Sequence, residues 1–154
     1  MGTLKEMLIT FIISMMPVAE LRAAIPYALS QGISWPVALP VAIAGNMLPV
    51  PFILLFLRRI FALMLKFRLT VPIVRWMEKR AYAKSDKVVK YAMVGLLILV
   101  ALPLPGTGAW TGSLVASVLD LRIKNAVPMI FLGVVIAGIA VTALSLGAIH
   151  VFGL

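Results

Sequence analysis

The chain has 154 residues, of which 63% are hydrophobic and 12% charged, with a mean hydropathy of +1.13. Soluble globular domains carry about twice that share of charge, so the composition excludes that class and points to a multi-pass membrane protein. There is no cysteine, which excludes disulfides, thiolate metal sites and cysteine nucleophiles.

Charge-free runs cover residues 7–19, 23–57, 91–119 and 125–154, and a spanning helix needs roughly 20 apolar residues. The first 16 residues hold one lysine and one glutamate and lack a small-residue cleavage site. The expectation is therefore that no signal peptide is removed and that the mature chain starts near Met1.

The first apolar stretch, 4–16, is too short to span. It runs into "PVAELRAAIPYALSQG", where Glu20 and Arg22 are the only charges between Glu6 and Arg58. Ionised groups at membrane depth are costly and face a cavity or a partner. Two positions apart on a helix they point to different faces, so each is expected to find a partner other than its neighbour. Arg22 offers a fork of donors suited to phosphate or carboxylate. Glu20 is a candidate proton carrier, because low dielectric disfavours an ionised carboxyl. Glu20, Ala24, Tyr27 and Gln31 share one helical stripe, which would line a polar path. Pro17 and Pro26 are expected to break the helix. A polar turn, "SQGISWP", then leads into a long apolar helix expected over 37–57, with bends at Pro40, Pro49 and Pro51.

Residues 58–90 carry 10 of the 14 basic residues, against only Glu78 and Asp86. Nucleic acid is one conceivable partner for such a block. The positive-inside rule explains a short basic segment flanked by membrane helices more simply, and places it in the cytoplasm with no nucleic-acid role. Its interleaved apolar residues suggest short helices lying on an anionic bilayer surface.

The second apolar stretch ends in "PLPGTGAWTGSLVASVLD". Pro103 and Pro105 stop the incoming helix. Gly106 and Gly108 permit a turn, while Thr107 and Thr111 can satisfy freed backbone groups. A half-helix over 109–119 would aim its positive end at an anionic group, and Trp110 would gate or pack the resulting cavity. Gly112, Ala116 and Asp120 form a small-residue edge. The turn "DLRIKN" then precedes a second long helix, 126–149, bent at Pro128. His150 is the only histidine and reads as an interfacial helix end. No metal cluster, phosphate-cradling loop or catalytic triad can be assembled, so neither an enzyme nor a cofactor is expected.

Shifting the chain by 88 residues aligns Pro17 with Pro105, Ala28 with Ala116, Ala38 with Ala126, Pro40 with Pro128 and Gly45 with Gly133, without a gap. The expected architecture is thus an all-α membrane protein with an inverted repeat. Residues 1–57 hold a re-entrant hairpin (4–30) and a transmembrane helix, and residues 91–154 hold a second hairpin (91–119) and helix. Counting crossings places both termini outside, in the cytoplasmic membrane, with the hairpin tips facing each other at the midplane. The rival reading is four plain helices, including 4–22 and 91–110, like the small multidrug resistance exporters.

The pair "PxxELRAAIPYA" (17–28) and "PLPGTGAWTGSL" (103–114), at this chain length, resembles the small multidrug export protein family, a distant relative of the DedA/VTT membrane proteins. The resemblance implies facing re-entrant loops and a transport role, with Glu20 as the hairpin carboxylate. DedA relatives are associated with moving undecaprenyl phosphate or other lipids, with proton coupling. Those proteins carry arginines in the second loop. Here 103–119 has none, which leaves Arg22 as the deep cation. The expected function is export of a small molecule or translocation of an anionic lipid by a homo-oligomer, most simply a dimer, among membrane lipids. The alternative is a non-transport scaffold that binds lipid or a partner.

Overall fold

The computed structural model describes residues 2–64, 72 and 86–152, and every element among them is a helix. They are α1 (Gly2–Met15), α2 (Glu20–Ser30), α3 (Trp35–Met47), α4 (Pro49–Met64), α5 (Asp86–Ala101), α6 (Ala109–Val118) and α7 (Ile123–Phe152).

α1 ends where Pro17 restricts Met16. α5 ends at Ala101 because Pro105 has no N–H for the Ala101 carbonyl. Single helices over 4–22 and 91–110 are therefore not formed, and the plain four-helix reading falls. Pro26 does not break the chain, contrary to expectation. It lies inside α2, and the helix runs through it at the cost of one bond to the Arg22 carbonyl. α3 passes into α4 through Leu48, whose backbone is helical and whose N–H bonds the Ala44 carbonyl. Together they give an apolar run long enough to cross a bilayer, Trp35–Ile60, and α7 provides a second, Ile123–Val151. Arg58 and Arg59 thus continue the first long helix instead of starting a surface segment, and α5 starts at Asp86, before the expected 91. Of the surface helices expected within 58–90, the part over 65–85 lies outside the described residues except for position 72.

Two helices, α1 and α6, are built inside out, while the core between the others is apolar, with Leu21, Ile25, Leu54, Leu96 and Ile130 buried. α1 exposes Leu4, Leu8 and Ile12 and buries Thr10 and Ser14. α6 exposes Leu114 and Val118 and buries Gly112, Ser113, Ala116 and Ser117. The buried hydroxyls are satisfied locally: Thr10 donates to the Glu6 carbonyl (2.8 Å), Ser113 to Ala109 (2.6 Å) and Ser117 to Ser113 (2.8 Å). Ser14 instead crosses to the Ala42 carbonyl on α3. Apolar side chains outside and small, hydrogen-bonded ones inside are what lipid surroundings demand, since helices there associate by close packing and hydrogen bonds.

The two halves repeat each other. After α2, Gln31, Gly32 and Ile33 donate to the Tyr27, Leu29 and Ala28 carbonyls, then Val37 and Ala38 to Ser34. After α6 the same five bonds recur 88 residues on, from Leu119, Asp120, Leu121, Asn125 and Ala126. Gly32 (φ 79°) and Asp120 (φ 49°) occupy the same left-handed position. Each half uses one glycine to bring its first helix onto its long one. A Cβ on Gly45 would lie 2.5 Å from the Phe11 carbonyl oxygen, and one on Gly133 would lie 2.7 Å from Val100 Cβ. Those contact pairs, Phe11 with Leu97 and Ser14 with Val100, are 86 apart. The ungapped alignment therefore needs a correction: the second break is two residues longer than the first. α2 packs on α7, α6 packs on α4, and α3 crosses α7, so each half's short helix leans on the other half's long one.

Candidate functional site

The two breaks meet. Glu20 opens α2 with φ 49°, a left-handed backbone uncommon for a non-glycine residue, and it is only 2% exposed. That turn swings its carboxylate back over the helix start, where Arg22 Nη1 donates to Glu20 Oε2 at 2.6 Å. The expectation that these two charges do not pair is thus overturned. It assumed helical geometry at position 20, and the backbone there is not helical.

Arg22 reaches across to the second break with both terminal nitrogens. Nη1 donates to the Thr107 carbonyl, and Nη2 to the Leu102 carbonyl (2.7 Å) and to Thr107 Oγ1 (2.9 Å). Both carbonyls belong to the non-helical break that Pro103 and Pro105 open, and the Leu102 carbonyl also accepts the Leu104 N–H at 2.9 Å. Thr107 Oγ1 also lies 2.8 Å from the Leu102 carbonyl, and Thr111 Oγ1 donates to Gly106 (2.8 Å). The Trp110 backbone N–H, at the start of α6, donates to Glu20 Oε1 at 3.3 Å. The anionic group that the α6 N-terminus meets is therefore the Glu20 carboxylate, favoured by the helix dipole. The Trp110 indole N–H donates to the Met15 carbonyl at 3.0 Å, which ties the ring to the end of α1.

Gly108 (φ 142°) sits against this pair. A Cβ there would run into the Glu20 carboxylate and come within 2.6 Å of Arg22 Nη1. Glu20, Leu21, Arg22, Asn46, Gly108, Ala109 and Val134 line a narrow recess. Glu20 and Gly108, Leu21 and Ala109, and Asn46 and Val134 are three pairs equivalent under the 88-residue shift.

The structure thus brings together Glu20, Arg22, Thr107, Gly108 and Trp110, with Gly106 and Thr111 bracing the loop. Tyr27 stands apart. It lies two turns along α2 and donates to the Glu6 carboxylate of α1, and Gln31 on the same stripe is exposed. Asn46 was not expected, although a signal was present: it is the one amide, hydroxyl or charged side chain between Trp35 and Leu57. The Leu102 carbonyl could not be read from a side-chain pattern at all. Farther along the chain, Arg58 Nη2 donates to the Leu121 carbonyl, with Asp120 Oδ1 at 3.8 Å.

Apolar outer faces, two apolar runs of spanning length and a largely buried ion pair where two helix breaks meet define an all-helical membrane protein with an internal polar centre. The family described as "Putative small multi-drug export protein" has a model that matches residues 20–140. The chain belongs to this family. No curated protein and no solved structure matches it.

Proposed function

We propose that the protein is an exporter whose site lies between the two breaks, with Glu20 and Arg22 as its polar determinants and the backbone of 102–108 as the opposing wall. The observation that carries this reading is the Arg22 guanidinium, held at once by Glu20 and by the Leu102 and Thr107 carbonyls of the other half. A structural ion pair gains little in a membrane core, where desolvation opposes it. A cation resting on carbonyls that a substrate can replace is a binding device.

In this reading α1–α2 and α5–α6 are re-entrant. At 1.5 Å per residue they measure about 21, 17, 24 and 15 Å, short of a core of about 30 Å. The contact of Arg58, near the basic end of the first long helix, with the turn after α6 supports placing both at the cytoplasmic face. The halves are then inverted about an axis in the membrane plane, and both termini lie outside. The recess has no room for a substrate-sized molecule, so transport in this reading needs the two breaks to part. Protonation of Glu20 removes the charge that holds Arg22 and frees it for an anionic oxygen group, on a small molecule or on a lipid headgroup such as a polyprenyl phosphate. The protein works as a homodimer in the cytoplasmic membrane.

The test is efflux from proteoliposomes of anionic and cationic dyes and of a labelled polyprenyl phosphate, with and without a proton gradient. Arg22→Ala should abolish movement of the anionic probes, and Glu20→Gln should abolish its dependence on the gradient. Wild-type movement by both variants would sink the assignment of the site.

A further inference from the structure

The outer face of the two breaks suits neither solvent that a membrane offers. Residues 16–18 of the first break are exposed, and so are 102–106 of the second; Val18 is 93% exposed and Leu104 53%. Arg22 and Trp110 tie these stretches together, through the Leu102 and Met15 carbonyls. Exposed apolar residues within helices, such as Leu8, Ile139 and Leu144, sit over backbone that is bonded inside the helix, so lipid can cover them. The breaks differ. Among the described residues, no hydrogen bond engages the Pro17, Pro103 or Pro105 carbonyls, or the Val18 and Gly106 N–H groups. Hydrocarbon cannot satisfy these groups, and non-helical backbone at membrane depth is tolerated only inside protein or beside water. Water is a poor match, because no side chain over 16–18 or 102–106 carries an oxygen or a nitrogen. A protein surface is the cover that fits both the loose backbone and the apolar side chains.

We propose that the paired breaks are the contact surface of the homodimer, covered by the breaks of a second copy of this chain. This rests on the re-entrant reading, which puts both breaks at membrane depth. The patch itself favours a second copy. A two-fold contact sets one patch against itself, so that patch must supply both sides of each interaction. This one does. It offers the Val18 and Gly106 N–H groups as donors and the Pro17, Pro103 and Pro105 carbonyls as acceptors, among apolar side chains that exclude water. The stretch 65–85 is a poor alternative cover. It would bring Lys66, Arg68, Arg75, Lys79, Arg80 and Lys84 to a patch with no exposed carboxylate, since Glu20 is buried. Parting of the breaks in one protomer then changes the surface on which its partner rests.

The test places a photoreactive benzophenone amino acid at Val18 or at Leu104 of the full-length protein in native membranes, because that group captures whatever covers it. Illumination should give a covalent dimer of this chain, read by mass, from both positions. The same group at Leu144, exposed within α7, should capture lipid instead. Lipid adducts in place of dimer at Val18 and Leu104, or capture there of a different protein or of 65–85 of the same chain, would overturn the proposal and leave the re-entrant reading standing. Dimer from Leu144 as abundant as from Val18 would do the same. A second measurement reads depth. An impermeant maleimide should label neither Val18→Cys nor Leu104→Cys, in whole cells or in inside-out vesicles. Labelling of both would put the breaks at the membrane surface and overturn the re-entrant reading together with the proposal.

Discussion

At the scale of single residues, position 108 shows what the site requires. Its backbone is one that L side chains rarely adopt, and the space beside it is filled by Glu20 and Arg22. Gly106 shares the positive φ, but an added Cβ there would have nothing within 4 Å. Gly106→Ala should therefore cost only the backbone term, about 1 kcal/mol. Gly108→Ala adds a collision with the ion pair and should cost about 3 kcal/mol or more. Thermal unfolding in detergent would rank them, and equal midpoints would show that the Glu20–Arg22 pair does not press on Gly108. Glu20, Arg22, Thr107 and Gly108 were legible as candidates because charge, proline and glycine are rare at such depth. Their mutual bonds were not, since the pairing of Glu20 with Arg22 depends on one backbone angle that no spacing rule encodes.

At the scale of elements, helix contacts are set by where a side chain is missing. α1 lies on α3 at Gly45, against the Phe11 carbonyl and Ser14 Cβ. Gly45→Val forces these helices apart and should abolish the folded protein in size-exclusion chromatography. Gly95 in α5 is exposed, with nothing within 4 Å of an added Cβ. Gly95→Ala should raise the midpoint of unfolding, by up to about 1 kcal/mol of helix propensity. A destabilised Gly95→Ala would argue that this face is packed in the functional assembly. The helix ends at Met15 and Ala101 were readable from the prolines that follow them. Pro26 misled for a physical reason: a proline ends a helix only when the surroundings do not hold the helix together, and α2 is packed on α1, α3 and α7.

At the scale of the whole molecule, the two halves are one structural theme used twice, and the question is how they are oriented. Ser34 and Arg122 are equivalent, exposed and placed at the turn before each long helix. The chain has no cysteine, so Ser34→Cys and Arg122→Cys are clean single-site reporters. In sealed inside-out vesicles an impermeant maleimide should label Arg122→Cys and spare Ser34→Cys, with the reverse in right-side-out vesicles. Labelling of both from one face would exclude inverted halves.

The sequence by itself determined the solvent, because hydropathy and charge-free length are additive properties that need no fold. It also marked where helices stop and touch, through its prolines and glycines. Only the tertiary structure decided what the rare polar residues do. The three-way hold on Arg22, the burial of Asn46 in the recess and the extra two residues of the second break all arise between segments far apart in sequence. In a low-dielectric interior, the partner across the gap decides whether a charge is tolerated, and no linear pattern records that partner.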